Sequence, residues 1–242
     1  TTFREDFDGV SIDTSVWTIA TWFEHDGQTG VERTFVADGK LNMVFINDST
    51  EGFLSSAIQT KEEFLYGTWR ASLKPTSCAG LLNSFHTIDW DNTADTSSWS
   101  DGTKQEIDIE FLTNSFDVDY GEVHYAVHAS GLTSFNTNPD IPLDFNPSDD
   151  FRVFGFTITP DYIEWFEGST ANVLQRYVYA ENDITIDAPY MLKLNVWSQD
   201  GQWVGGPPTP DTVCTYQIDW IEFVPLGDDQ TLAAPANLRV VE

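Results

Sequence analysis

The stretch Lys104-Gln105-Glu106-Ile107-Asp108-Ile109-Glu110-Phe111-Leu112 decides how the chain is read. Ile107, Ile109 and Phe111 alternate with Glu106, Asp108 and Glu110. On a β-strand, alternate residues face opposite sides. One face is therefore apolar and suited to a core, while the other carries three carboxylates. Like charges on neighbouring same-face positions destabilise a strand. A merely solvated face is better served by Thr, Ser or Lys. The chain holds 39 Asp and Glu in 242 residues, so chance must be weighed. With apolar spacers required, the pattern arises about 0.2 times per chain of this composition. The motif thus needs support from its flanks.

Outward from it, the same period of two recurs. Leu41 to Ile46, Gly67 to Leu73, Phe151 to Ile158, Tyr162 to Phe166, Met191 to Trp197 and Tyr216 to Val224 read as strands. Turn signals separate them: Asp38-Gly39, Asp101-Gly102, Asn138-Pro139, Asn146-Pro147, Asp200-Gly201 and Gly205 to Pro208. Many short strands with such punctuation predict an all-β antiparallel sandwich or barrel. No segment keeps a helical period for twelve residues. Residues 1–226 read as one domain. Residues 227–242 read as a linker followed by Ala234-Pro235-Ala236-Asn237-Leu238-Arg239-Val240-Val241, which resembles the opening of a fibronectin type III module. A frayed tail is the plainer alternative.

Charge narrows the function. Eleven Lys and Arg against 39 acids give a net charge of −28. Nucleic acid and anionic membrane surfaces both need a basic face, so neither is an expected partner. Aromatic residues make up 14% of the chain, which separates it from disordered acidic sequences. No run of 18 apolar residues offers a membrane span. The absent leader fits either a cytosolic protein or a signal peptide already removed. Cys78 and Cys214 lack zinc-ligand spacing. One disulfide and two free thiols both remain open, since separation in sequence cannot decide.

Three carboxylates on one strand face suit glycoside hydrolysis with retention. That reaction needs one carboxyl as nucleophile and a second as acid/base, about 5–5.5 Å apart. Clustered acids raise some carboxyl pKa values, which keeps a proton on the acid/base.

Glu106-Ile107-Asp108-Ile109-Glu110-Phe111-Leu112 resembles the active-site strand of glycoside hydrolase family 16, in the form without a bulge residue found in licheninases and xyloglucan-active enzymes. Phe3-Arg4-Glu5-Asp6-Phe7, Asp38-Gly39-Lys40-Leu41, Tyr66-Gly67, Leu73-Lys74-Pro75, Leu194-Asn195-Val196-Trp197 and Tyr216 to Trp220 are similar to further family segments in the same order. The resemblance implies a β-jelly-roll sandwich of two antiparallel sheets with a concave cleft for a polysaccharide. It implies Glu106 as nucleophile, Asp108 as the assisting carboxylate and Glu110 as acid/base. Asn195 and Trp197 would line donor subsites. Catalysis would need no cofactor. One structural calcium would sit on the Asp219 carboxylate and the backbone carbonyls of Asp6 and Gly39, oxygen donors of the kind calcium takes.

Departures from the licheninase pattern alter the subsite lining. Lys104-Gln105 stands before the motif and Thr113 after it. Arg70 and Ser72 stand where an acid and an arginine are expected, and Ala126 and His128 where Asn and Tyr are expected. Arg70, His124, His128 and Trp99 join Asn195 and Trp197 as candidate substrate contacts. His124 and His128 are too far apart along a strand, about 13 Å, to share a metal; a bond to sugar hydroxyls or to Glu110 suits them better. The expectation is a secreted, monomeric, retaining endo-β-glycanase cut from a modular protein, acting on a 1,4-containing β-glucan. Xyloglucan, an algal galactan, transglycosylation and a non-catalytic lectin are its rivals.

Overall fold

A computed structural model describes residues 2–89, 105–129, 134–201 and 203–227. Trp99, Lys104 and the fibronectin-like segment lie outside the described residues. The chain opens with β1 (Phe3–Glu5), β2 (Trp17–Ile19), β3 (Phe23–Glu24) and β4 (Gly27–Thr29). Next come β5 (Thr34–Ala37), β6 (Lys40–Asp48), β7 (Gly52–Thr60), β8 (Gly67–Lys74) and β9 (Leu82–Ile88). The acidic strand is β10 (Gln105–Leu112), followed by β11 (Gly121–Ala129), β12 (Phe135–Asn136) and β13 (Ile141–Leu143). The last five are β14 (Arg152–Ile158), β15 (Tyr162–Glu167), β16 (Val173–Val178), β17 (Met191–Trp197) and β18 (Val213–Pro225). Three short 3-10 turns are the only helical segments among the described residues.

Two sheets face each other. The first runs β16-β15-β14-β8-β18, then β6 and β5, with β1 also pairing β18. The second runs β12-β11-β10-β9-β17-β7-β2. Strand β7 belongs to both: Gly52 to Leu54 pair with β6, and Ser56 to Gln59 with β17. These pairings are antiparallel, as the sequence predicts for a jelly-roll sandwich, and the short β4 adds a parallel pairing to β7.

The alternation of β10 sets the layers. Ile107, Ile109 and Phe111 point inward and are fully buried. Phe111 meets Phe154 of β14 edge-on at 4.9 Å, and Phe85 of β9 meets Phe156 at 5.5 Å. Tyr125 of β11 stacks on Trp165 of β15 at 5.4 Å. Such pairs add to the burial of their large apolar surfaces. The Trp165 Nε1 also donates to the Asp108 carbonyl at 3.0 Å, tying the acidic strand to the opposite sheet. Asp38 and Gly39 both take positive φ, 54° and 68°, in a two-residue hairpin between Ala37 and Lys40. That is the turn geometry Asp-Gly favours. Cys78 and Cys214 are joined in a disulfide with Cα atoms 6.0 Å apart, within the usual span. This settles the alternative the sequence leaves open.

Candidate active site

The outer face of the second sheet is built by register. Glu106, Asp108 and Glu110 lie opposite His128, Ala126 and His124 on β11 and opposite Ile88, His86 and Ser84 on β9. Met191, Lys193 and Asn195 of β17 extend the same rows. One strip of β10 thus carries all three acids, flanked by two histidines on one side and one on the other.

The acids differ in surroundings. Asp108 is buried, with the His128 Nε2 3.4 Å from its Oδ2. His128 Nδ1 is 2.6 Å from the Ser134 hydroxyl. Glu110 is pushed up to about 8, chiefly by burial, then by the charges of Glu106 and Asp140. The sequence attributes such a rise to clustering; burial proves the larger cause, and the two reinforce each other. Glu110 therefore holds its proton at neutral pH. His124 stands beside it, with Nε2 3.9 Å from Glu110 Oε2 and 3.2 Å from Asn136 Oδ1. Its Nδ1 is 2.7 Å from Asp140. The histidine thus hydrogen-bonds Asp140 and Asn136 and stands beside Glu110 at a distance beyond a hydrogen bond.

Several expected contacts are placed otherwise. Arg70 lies on β8 of the first sheet, across the core from the acids. Its guanidinium pairs with Glu222 at 2.5 Å and lies 5.7 Å from the Trp220 ring. The alternation that buries Trp69 and Ala71 turns Arg70 outward on that sheet. It lines no cleft, which corrects the sequence reading. Asn195 and Trp197 do lie on the cleft face of β17, but neither is open. Asn195 is 5% exposed, accepts from Ser84 Oγ at 2.6 Å and donates to Glu24 Oε2 at 3.2 Å. Trp197 is 2% exposed, with His25 stacked on it at 3.6 Å. Trp99 lies outside the described residues.

Sequence reading missed Glu24, His25 and Lys193. Glu24 Oε1 is 2.6 Å from Lys193 Nζ and accepts from Trp22 Nε1 at 2.7 Å. Burial pushes its carboxyl up, but Lys193 and the Trp22 bond outweigh this and hold it below the usual range. Burial also lowers His25, followed by an opposing pull from Glu24. Only the polar Glu24 and Lys193 within apolar runs could have signalled this. Among the described residues, Trp22 and Trp203, 36% and 42% exposed, are open indoles near the cleft. Trp203 lies 6.1 Å from His124 and 5.9 Å from Trp197, ring to ring.

Among the described residues no group of three or more His, Cys, Asp or Glu side chains could hold a metal. The expected calcium positions use carbonyls and are gathered by pairing instead. Asp219 is the residue at which the register of β18 shifts, directly after Ile218 pairs Leu41. Glu5 pairs Ile221, which brings Asp6 just past the end of β1 to the same spot. The Asp6 carboxylate is engaged by Arg4 Nε at 2.9 Å, leaving its carbonyl. A carboxylate and carbonyls are oxygen donors of the type calcium takes.

The β10 strip sets Glu110, its pKa raised by burial and neighbouring charge, on the same face as Glu106, a pair of carboxyls of the kind glycoside hydrolysis uses. Comparison with known proteins agrees. The model of glycosyl hydrolases family 16 matches residues 24–222. A beta-glucanase of Brevibacillus brevis is 25% identical over 240 residues, 95% of this chain and 84% of its own. The solved structure of a prokaryotic beta-1,3-1,4-glucanase (lichenase) from a mouse hindgut metagenome superposes with TM-score 0.74 at 25% identity, covering 93% of this chain and all of that one. The catalytic domain of an endo-1,3-beta-glucanase (laminarinase) from Thermotoga petrophila superposes with TM-score 0.73 at 20% identity, covering 91% of this chain and 95% of that one; it shares the fold.

Proposed function

Because the chain belongs to glycosyl hydrolases family 16, a family of retaining enzymes, we propose that it hydrolyses internal linkages of a β-1,3-1,4-glucan by double displacement. Glu106 attacks the anomeric carbon while Glu110 gives its proton to the leaving oxygen. A glycosyl-enzyme ester forms on Glu106. Glu110, now ionised, takes a proton from water as that water displaces Glu106. The two roles require one acid to be ionised and the other protonated at working pH. The raised pKa of Glu110 beside Glu106 is the observation that carries the reading. Asp108, buried between them, holds the strip in register with His128. No step needs a cofactor.

The Brevibacillus and metagenomic relatives support mixed-linkage glucan as substrate. We read the protein as secreted and monomeric, and the disulfide supports an oxidising compartment. We read residues 227–242, from their sequence, as a linker and the start of a fibronectin type III module. Asp219, with the carbonyls of Asp6 and Gly39, would hold a calcium ion that stiffens the first sheet far from the chemistry. The experiment is a polysaccharide panel: barley mixed-linkage glucan, laminarin, xyloglucan and agarose. Reducing ends released fastest from barley glucan support the proposal; release only from agarose or laminarin contradicts the substrate, and no release from any contradicts the enzyme.

A further inference from the structure

The cleft floor is not open along its whole length. Met191, Lys193, Asn195 and Trp197 share the cleft face of β17. Met191 receives a bond from Gln59 at 3.3 Å. The β3–β4 hairpin lies over the other three, and Trp197 also packs with Leu82, Leu112 and Val204. Glu24 takes Lys193 and Asn195, and His25 lies on Trp197 with planes 21° apart. Lys193, Asn195 and Trp197 are all 5% exposed or less.

The hairpin is bolted in place. Thr29 donates to the Trp22 carbonyl from both N, at 3.0 Å, and Oγ1, at 2.6 Å. Strand β4 pairs with Leu54 and Ser55 of β7. Arg33 donates to the carbonyls of Gln28 and Ser55. A Cβ on Gly27 would stand 2.0 Å from Ser55 Oγ, so glycine alone lets the two chains approach. His25 itself takes φ 49°, left-handed backbone that a non-glycine residue adopts at a cost. A costly conformation persists where surrounding contacts over-determine it, and here they aim an imidazole at an indole.

Sugar rings bind proteins by laying a flat apolar face on an aromatic ring, and Trp197 has the place for that. We propose that the hairpin is a cleft stop: His25 occupies the Trp197 face and withdraws one sugar-binding position from the substrate. The inference deepens the glycanase reading and rests on it. Strand β17 is two strands from β10, about 10 Å across the sheet, and the family resemblance assigns its subsites to the donor side. Trp203, between His124 and Trp197, stays exposed.

The test is His25→Gly, since glycine takes positive φ without strain. Wild type and variant are compared on a ladder of mixed-linkage oligosaccharides, with KM and product lengths as readouts. In parallel, oxidation of Trp197 by N-bromosuccinimide is mapped by mass spectrometry, with and without oligosaccharide. The stop predicts that His25→Gly lowers KM for the longer oligosaccharides about 3- to 10-fold, the size of one aromatic stacking contact. It also predicts donor-side products longer by one sugar unit. Trp197 should resist oxidation in wild type, react in the variant, and be shielded again by oligosaccharide. Unchanged KM and product lengths, with Trp197 unshielded by oligosaccharide, overturn the stop even if the variant melts lower. Wild type inactive on every glucan sinks the glycanase reading instead, and the oxidation pattern then still reports whether His25 covers the indole.

Discussion

Two glutamates on the concave face, Glu24 buried and Glu110 largely so, have opposite fates. Burial pushes both carboxyls up. At Glu110, the charges of Glu106 and Asp140 push the same way, and the proton stays. At Glu24, Lys193 at 2.6 Å and the Trp22 indole reverse the push, and the proton is lost. One residue type thus serves as a proton donor at β10 and as an ionic bolt over β17. What separates them is the sign of the neighbours, since burial is common to both.

That contrast can be broken at several points. The largest effect is expected at β10. Glu106→Gln should cut kcat on barley glucan by at least about 10⁴-fold, the scale seen when one member of a catalytic unit is lost. Glu110→Gln should cost about 10²- to 10⁴-fold with natural substrate, as expected for loss of a general acid. An assay of reducing ends reads both. If Glu106→Gln keeps activity, the assignment of the strip is wrong.

Next comes the bolt. Lys193→Met leaves Glu24 buried beside an uncharged chain, and removing one partner of a buried pair costs about 3–5 kcal/mol. Denaturant unfolding should show that loss. A change below about 1 kcal/mol would mean that Glu24 finds water or another donor.

The two sites should also give opposite pH signatures. Glu110 has a raised pKa, so the stability it contributes is present below about pH 4.5 and drains away as pH climbs through about 8. Glu110→Gln should flatten that alkaline loss, and kcat/KM of wild type should fall above about pH 8. Glu24 has a lowered pKa, so its contribution is present above pH 4.5 and lost on acidification. Glu24→Gln should flatten the acid limb and leave the alkaline one. Melting temperatures from pH 3 to 9 separate the two patterns. The smallest effect on activity is remote from both: Cys78→Ser with Cys214→Ser should leave kcat within about twofold while costing about 2–5 kcal/mol of stability.

How far the sequence reveals this depends on the face a residue occupies. Strand β10 is legible because its two faces differ sharply, apolar against acidic. Strands β6, β8, β14, β15, β17 and β18 also lie where alternation predicts them. Strand β9 escapes because it is buried at every position, its polar Ser84 and His86 included, so its period of two is blurred. Which sheet a strand joins is a long-range fact, and Arg70 shows it: the alternation of β8 is correct, but the face lies on the other layer. Asn195 and Trp197 are legible as cleft-face residues. What covers them comes from a hairpin some 170 residues earlier, and pattern in one strand cannot announce it.

The central claim is that Glu106 and Glu110 act as nucleophile and acid/base in a double displacement. Azide rescue tests it most directly. Glu110→Ala should hydrolyse an activated aryl glycoside slowly and accelerate with azide, giving a β-glycosyl azide by attack on the Glu106 ester. Glu106→Ala with azide should instead give the α-product. An α-glycosyl azide from Glu110→Ala, or no rescue in either variant, would contradict the account.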